Sequence, residues 1–299
     1  MKKKLNIVCS FILIGFLTVA TGCGDKNTSS DKPKGLSKKV NCIALKSSAG
    51  DSVLKNLSGN YSVKVYSDFQ DAEKRVKNGN FDAVVLSAGM LAKLHKESKH
   101  NLVEISPITL DGMYVLANGW AKGSVKTNTL KGLKINAYGE ETTPELLVYK
   151  NMREQNVATS RLSFEYFYNF DDLKDKMKEY GTFCVASEPY ASEIEKIPGV
   201  NKVLNLTEKY TEKEGSAAPS EVLAVSKKML KERPDDVRAI IDDFEKAIEN
   251  TKINGVQPVF YGRSNRGISI LQTFNDGVKK VIPELYTGEK FSSSFYYER

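Results

Sequence analysis

Short apolar runs alternate with amphipathic stretches along most of this chain. Runs such as 41–45, 81–86 and 134–138 are each followed by a polar turn and then by apolar residues at helical spacing. This alternation predicts βα units around mainly parallel sheets. Because a second block repeats the pattern after residue 128, we expect two similar α/β lobes.

The pattern predicts individual elements as follows. Strands are expected at 41–45, 61–66, 81–86, 102–108, 112–117, 134–138, 164–167, 182–186 and 219–225. Helices are expected at 51–57, 68–78, 90–96, 144–152, 171–180, 190–196, 235–251 and 268–281, with a further helical stretch beginning at 226. The aromatic residues Phe295, Tyr296 and Tyr297 are expected to dock against a lobe.

The N-terminus has the layout of an export signal. Three lysines precede an apolar run over residues 5–20, and small residues then lead to Cys23. A transmembrane anchor is the alternative, but the run is shorter than the roughly 20 residues that span a bilayer. The cysteine position resembles the lipobox of bacterial lipoproteins, although Ala20 stands where that motif usually has Leu, Val or Ile. The resemblance implies a signal peptide at 1–22 and lipidation of Cys23.

Residues 23–38 are rich in Lys, Ser, Asp and Pro, which predicts a flexible tether. Removal of residues 1–22, with three lysines and no acid, lowers the formal net charge from +7 to +4. The remaining positive charge is scattered, without the basic stripe typical of nucleic-acid binding. We therefore expect no nucleic-acid partner.

Histidine and cysteine are scarce. Only His95 and His100 are present, and both lie in a charged helix end where a solvated cluster is expected rather than a metal site. Zinc binding and histidine-dependent catalysis thus lack their usual residues. Cys42 and Cys184 lie in apolar strands; a disulfide is possible after export, but free buried thiols are favoured. We expect no enzyme, no metal and no cofactor.

Several segments together resemble the substrate-binding proteins of ABC importers with the type II periplasmic-binding-protein fold, in the branch of nitrate, sulfonate, taurine and thiamine-pyrimidine receptors. They are, in chain order, FDAVVL at 81–86, TLKGLKI at 129–135, GTFCVASEPYA at 181–191, VSK at 225–227 with RPD at 233–235, and residues 283–297. Their order and spacing cover nearly all of the chain after the signal. In the third segment, Cys184 stands where the family commonly has Asp.

The resemblance implies two lobes joined by two crossovers, placed near Leu116–Gly119 and Ala218–Leu223. Lobe 1 would then comprise 39–117 and 222–299, and lobe 2 would comprise 118–221. Ligand would bind in the cleft between them, at strand C-terminal ends and helix N-termini. The partners implied are an ABC permease and its ATPase, with a monomeric receptor anchored by lipid on the extracytoplasmic face of a Gram-positive-type envelope.

Candidate ligand residues follow the predicted strands. They are Ser47, Ser48, Ser87, Ala88, Tyr114, Tyr138, Thr142, Thr143 and Glu188, with Tyr190, Arg263 and Arg266 as weaker candidates. Hydroxyls before a helix either contact ligand or cap their own helix. Glu188 either faces the cleft, where it would bind an amino or amidine group, or forms a salt bridge within lobe 2.

Two ligand classes and two functions stay open at this point. Thr142 and Thr143, with the net positive charge, favour a sulfonate or nitrate-like anion, whereas Glu188 with nearby tyrosines favours a cationic, pyrimidine-type heterocycle. The expected function is solute capture for import. The alternative is a sensory or adhesive surface lipoprotein of the same fold.

Overall fold

A computed structural model describes residues 35–99, 101–160, 162–283 and 295–297. The predicted signal peptide, Cys23, most of the predicted tether and His100 lie outside these ranges. The described residues form two five-stranded sheets, each with helices on its faces.

The first sheet belongs to lobe 1 and has the order β2-β1-β3-β10-β4. Its strands are β1 (Val40–Leu45), β2 (Tyr61–Tyr66), β3 (Ala83–Ser87), β4 (Leu102–Pro107) and β10 (Glu221–Ser226). β1 is parallel to β2 and β3, and β10 is antiparallel to β3 and β4. The inner strands are buried on both faces, which explains their continuous apolar sequences.

The second sheet belongs to lobe 2 and repeats this design in the order β7-β6-β8-β5-β9. Its strands are β5 (Met113–Asn118), β6 (Lys134–Tyr138), β7 (Ser163–Phe167), β8 (Phe183–Ser187) and β9 (Val200–Asn205). β6 is parallel to β7 and β8, and β5 is antiparallel to β8 and β9. In both sheets, therefore, the antiparallel strand is the one that the chain enters from the other lobe.

Helices follow the strands in the predicted alternation. Those that follow strands of lobe 1 are α1 (Ala49–Leu54), α2 (Phe69–Lys77), α3 (Ala88–Glu97), α8 (Lys227–Glu232), α9 (Pro234–Glu249) and α10 (Asn265–Val281); those of lobe 2 are α4 (Thr143–Glu154), α5 (Phe170–Lys176), α6 (Tyr190–Glu195) and α7 (Leu206–Glu214), preceded by a short 3-10 helix at Thr127–Leu130. α10 packs against β4 and α3 of lobe 1 and also against α4 of lobe 2. The C-terminal helix thus contacts both lobes.

All nine predicted strands are present, with ends shifted by at most two residues. β9 and α7 were not predicted. β9 mixes the buried Val200 and Val203 and the half-buried Leu204 with Asn and Lys, and it shows neither a continuous nor a strictly alternating apolar pattern. The first crossover also differs from the prediction. β5 pairs with β8 and β9, so the chain passes between the sheets at residues 108–112 and not at Leu116–Gly119. A strand buried on both faces carries no sign of which sheet it joins.

The C-terminal aromatics dock as predicted, and they change the position of His95. Phe295 and Tyr296 are buried, and the backbone of Tyr296 pairs with that of Glu104 in β4. The ring of Phe295 lies 4.3 Å from that of His95, whose Nδ1 is 2.9 Å from the carbonyl oxygen of Leu102. His95 is therefore a buried core residue, and the predicted solvated cluster is wrong for it.

Both cysteines of the described chain are free and buried, Cys42 in β1 and Cys184 in β8. The preference for two thiols over a disulfide is confirmed, since the strands belong to different lobes. Burial raises the pKa of each thiol well above its usual range, which makes both unreactive.

Candidate functional site

The C-terminal ends of the parallel strands in the two sheets face one another. The backbone amide of Phe69 in lobe 1 donates to the carbonyl of Tyr168 in lobe 2 at 2.8 Å, and Asp68 and Asn169 form an isolated β-bridge beside this contact. In open α/β sheets, ligands bind at the C-terminal ends of the strands. In this structure, those ends lie buried between the two lobes.

A cavity of about 40 Å³ lies between these strand ends. A cavity needs about 10–15 Å³ of such volume to hold one water molecule, so this space suits a group of a few heavy atoms. Fourteen residues from both lobes line it: Leu45, Ser48, Phe69, Val85, Leu86, Ser87, Tyr138, Thr142, Pro144, Val185, Ala186, Ser187, Tyr190 and Glu221. The cavity includes five of the predicted site residues, counting the weaker candidate Tyr190.

The turn after β1 contributes Ser48 but not Ser47. The Ser48 hydroxyl accepts the Asp51 amide at 3.0 Å and so caps α1, while it also lines the cavity. Ser47 is exposed with a φ of 62°, and its amide donates to the Asp51 carboxylate at 3.0 Å. Ser48 therefore caps its helix and lies in the cavity wall, where its ligand contact stays a prediction, and Ser47 lies outside the cavity lining.

The first amides of α1 are occupied by a residue that sequence reasoning missed. The amides of Ala49 and Gly50 donate to the two carboxylate oxygens of Glu221 at 3.1 and 2.8 Å. Glu221 opens β10, so it reaches this turn from a strand that follows β1 by some 170 residues in sequence. The expected anion position at this turn is filled by the carboxylate of the protein itself.

Glu221 is only 4% exposed and also lines the cavity. Burial raises its pKa to about 7, and hydrogen bonds from Gly50, Ala49 and Ser48 oppose this shift in part. The charge of Asp51 adds to the increase. A sequence signal did exist, because Glu221 is a single acid at the start of an otherwise apolar strand, but the strand was predicted without regard to it.

Ser87 and Thr143 face each other across the lobes. The Thr143 amide donates to Ser87 Oγ at 2.8 Å, and the two hydroxyl oxygens are 2.9 Å apart. Thr143 Oγ1 also accepts the amide of Gly89 at 3.1 Å. The structure thus brings these two candidate residues together, and their hydrogen bonds join lobe to lobe.

Ala88 and Thr142 have different environments. The Ala88 amide donates to the carbonyl of Ser220 at 3.1 Å, so it is not available to a ligand in this arrangement. Thr142 precedes α4 without capping it and lines the cavity. The hydroxyls of Thr142 and Ser187 both lie on the lobe 2 wall of the cavity. Neither makes a hydrogen bond to the described part of the chain.

Two tyrosines close the cavity. Tyr190 donates from its hydroxyl to the Lys46 carbonyl at 2.8 Å, and Tyr138 donates to the Ser67 carbonyl at 3.4 Å. Their rings lie 5.1 Å apart, and the ring of Phe69 lies 5.7 Å from that of Tyr138. The aromatic wall is held in place because two lobe 2 hydroxyls bind lobe 1 backbone.

Glu188 lies beside the crossover at residues 108–112, where its amide donates to the Gly112 carbonyl at 2.8 Å, and it lies outside the cavity lining. Its carboxylate forms an ion pair with Lys202 Nζ at 2.7 Å and accepts the Ser192 amide at 2.9 Å, both within lobe 2. A Cβ at Gly255, where φ is 79°, would lie 2.3 Å from the carboxylate carbon, so only glycine fits there. The salt-bridge alternative thus describes Glu188 in this structure.

Lys202 also explains the position of Tyr114. Its Nζ lies 4.9 Å from the centroid of the Tyr114 ring and 3.1 Å from the Glu195 carboxylate. Tyr114 therefore belongs to the cluster around Lys202 and Glu188 and lies outside the cavity lining. The two arginines are also elsewhere: Arg263 pairs with Asp242 and Glu245, and Arg266 lies over the ring of Tyr261.

The charge of the cavity wall is the clearest chemical property of the site. Its lining contains one carboxylate and no lysine, arginine or histidine. A second anion about 4 Å from ionised Glu221 would be repelled by about 4 kcal/mol at an effective dielectric constant near 20.

Among the described residues, no cluster of three or more His, Cys, Asp or Glu is arranged to hold a metal ion. Within the same ranges, no helix is long and apolar enough to cross a bilayer.

No family profile and no curated protein sequence match this chain. Solved structures do. The alkanesulfonate-binding protein SsuA from Xanthomonas axonopodis pv. citri, bound to MOPS, matches with a TM-score of 0.67 at 8% identity, covering 87% of this chain and 98% of that chain. The aliphatic sulphonate binding protein SsuA from Escherichia coli matches at 0.65 and 10% identity, covering 87% and 92%.

The ligand-binding component of an ABC-type import system from Staphylococcus aureus, with zinc bound, also matches. Its TM-score is 0.64 at 11% identity, covering 87% of this chain and 96% of that chain. Identities this low carry the likeness of fold alone. The two sheets with their shared strand order, and the cavity at the edges where they meet, agree with that likeness. The chain has the two-lobed fold of the type II periplasmic binding proteins.

Proposed function

We propose that this chain is the extracytoplasmic solute-binding component of an ABC importer. The observation that carries the proposal is the cavity whose wall is shared between two lobes of this fold. A small polar solute enters when the lobes separate and is enclosed when they close by a hinge motion. The protein performs no chemistry on the solute, and it delivers the solute to a permease that is driven by an ATPase.

The proposal is tested with a thermal-shift screen of purified protein against sulfonates, nitrate, amino acids and thiamine precursors. A ligand that binds only the folded state raises the melting temperature in proportion to the logarithm of its concentration. A saturable shift with at least one class is expected. If no class of compound shifted the melting temperature, the proposal of a receptor of this kind would be overturned. Binding without any loss of uptake on gene deletion would favour the sensory alternative.

We propose further that the receptor acts as a monomer held at the outer face of the membrane by lipid on Cys23, in a Gram-positive-type envelope. Residues 23–38 would act as the tether between lipid and lobe 1. The support is the lipobox-like sequence at the end of the apolar run. A Cys23→Ala variant is expected to leave the membrane fraction while its melting temperature is unchanged. Continued membrane retention would contradict lipidation at this residue.

A further inference from the structure

We propose that Glu221 is the ligand anchor of this receptor and that the ligand presents an N–H cation, of the amidinium or primary ammonium type, to its carboxylate. The inference rests on the proposed function, since it names the class of solute that the same cavity takes. Of the two ligand classes that the sequence left open, it selects the cation over the sulfonate or nitrate-like anion. It also assigns the binding of an amino or amidine group to Glu221 of lobe 1 and not to Glu188 of lobe 2.

The first step concerns the acceptor capacity of Glu221. A carboxylate has about four lone-pair positions. The amides of Ala49 and Gly50 take one position on each oxygen, and the Ser48 hydroxyl further stabilises the charged form. The carboxylate is therefore oriented by the protein and keeps acceptor capacity, while it forms part of the cavity wall. An N–H cation supplies both the donors and the charge that this group lacks.

The second step concerns an anionic ligand. The usual protein partners of a sulfonate or nitrate are helix N-terminal amides and basic side chains. In lobe 1 the α1 amides bind Glu221, and the Ala88 amide binds the Ser220 carbonyl. No basic side chain lines the cavity. An anion would thus meet a like charge without a counterion.

The third step concerns the other walls. Phe69, Tyr138 and Tyr190 present aromatic rings, which attract cations and stack on planar groups. Across from Glu221, the hydroxyls of Thr142 and Ser187 lie on lobe 2 and can accept further N–H donors. A ligand held by Glu221 and by these hydroxyls contacts both lobes. Such a ligand stabilises the closed arrangement.

Three isosteric probes separate the ligand classes by charge alone. Acetamidinium, acetamide and acetate have the same planar four-atom skeleton and fit a cavity of this size. Binding is measured at constant ionic strength by NMR titration of purified protein, which detects weak affinities. We expect acetamidinium to bind at least about tenfold more tightly than acetamide, and acetate to bind most weakly. Tighter binding of acetate than of acetamidinium would overturn the proposal without using any variant.

Variants then test the residue. Glu221→Gln should weaken acetamidinium binding about thirtyfold or more, because a buried charge loses its partner. Glu145→Gln is the matched control: Glu145 is equally buried, burial also raises its pKa to about 7, and it lies outside the cavity lining. It should bind like the wild type. Equal affinities of the Glu221→Gln variant and the wild type would overturn the role of Glu221.

The pH profile of the wild-type protein provides a further test. The titratable groups that face Glu221 are Asp51 from α1 and the tyrosines 138 and 190 from lobe 2. Acetamidinium affinity should decline as the pH falls below about 7, when Glu221 takes up a proton. An affinity that rises on acidification would contradict the cationic class. If only anions shift the melting temperature in the wider screen, the receptor stands and this inference fails; if nothing binds, both fail.

Discussion

Glu188 and Glu221 are the two buried glutamates at the strand ends that face the lobe interface, and they are treated in opposite ways. Glu188 follows β8 and has a lysine, Lys202, at 2.7 Å. Glu221 opens β10 and is held by backbone amides, with no ion pair among the described residues. The first is neutralised where the chain crosses between the lobes. The second has no countercharge where the cavity lies, and burial raises its pKa to about 7.

The difference separates a structural carboxylate from a binding one. A buried charge that is paired within its own lobe has no need of a ligand, because its desolvation is already offset. A buried charge that is oriented but unbalanced is destabilising by itself and becomes favourable when a cation arrives. Perturbed groups of this second kind concentrate at functional sites. Position at a strand end is therefore less informative than the partners of the side chain.

The largest expected effect comes from breaking the neutralised pair. Lys202→Met leaves the Glu188 carboxylate buried, at 1% exposure, without its closest countercharge. Removal of one partner of a buried pair costs about 3 kcal/mol or more, so we expect the unfolding free energy to fall by about this amount. Urea denaturation measures the change.

An exposed ion pair in the same lobe supplies the control. Lys176 and Glu179 lie 2.6 Å apart on the surface, where solvent weakens the interaction. Lys176→Met should leave the denaturation midpoint nearly unchanged. Acetamidinium affinity should survive in both variants, and in Glu188→Gln. A loss of affinity in Glu188→Gln would return Glu188 to the ligand site and undo the contrast between the two glutamates.

A smaller effect is expected from the unbalanced carboxylate, as a dependence of stability on pH. Because burial raises the folded-state pKa of Glu221 to about 7, the folded protein binds this proton more tightly than the unfolded chain does. The resulting stabilisation is complete below the unfolded value near 4.5 and disappears as the pH rises through about 7. Between about pH 5.5 and about pH 8 this one group should lower the unfolding free energy by about 2 kcal/mol.

Glu145 titrates in the same range, so the measurement is made in its absence. The pH dependence of urea unfolding is compared between Glu145→Gln and the double variant Glu145→Gln with Glu221→Gln. The single variant should lose about 2 kcal/mol more stability on going to alkaline pH. Identical pH profiles would mean that Glu221 is not a buried, unbalanced acid.

The fold was predictable from the sequence to a greater extent than the site. Apolar runs such as Ala83–Ser87 are continuous because parallel strands are buried on both faces, and that property is local. The strand β9 was not predicted because half of its side chains are polar. One of them, Lys202, forms the ion pair with Glu188. The position of the first crossover was predicted wrongly because β5 is as apolar as the strands of either sheet.

Turn chemistry predicted Ser48, Ser87, Thr142 and Thr143 as ligand residues. The structure places all four where the lobes meet, and their ligand role stays a prediction. Turn chemistry could not show what occupies the donors. Glu221 reaches the Ala49 and Gly50 amides from a strand distant in sequence, and the Ser87 hydroxyl meets Thr143 from the other lobe. Such pairings depend on the register of β10 and on lobe closure. Neither is encoded within the turns themselves.

The smallest expected effect tests lobe closure, on which the contrast between the two glutamates depends, because Glu221 faces lobe 2 only when the lobes meet. A Cβ at Gly89, in the first turn of α3, would lie 2.5 Å from the Glu141 carbonyl oxygen of lobe 2 and 2.7 Å from a Leu146 methyl. Gly89→Ala should thus hold the lobes apart without harm to its own helix, where alanine is favoured over glycine. The reporter is the Thr143 amide, which donates to Ser87 across the interface. Its hydrogen exchange should accelerate about tenfold, equivalent to about 1.4 kcal/mol, while amides in the centre of β6 keep their rates. Unchanged exchange at Thr143 would mean that the lobes still meet around the added methyl group, and the closure argued from this contact would then be wrong.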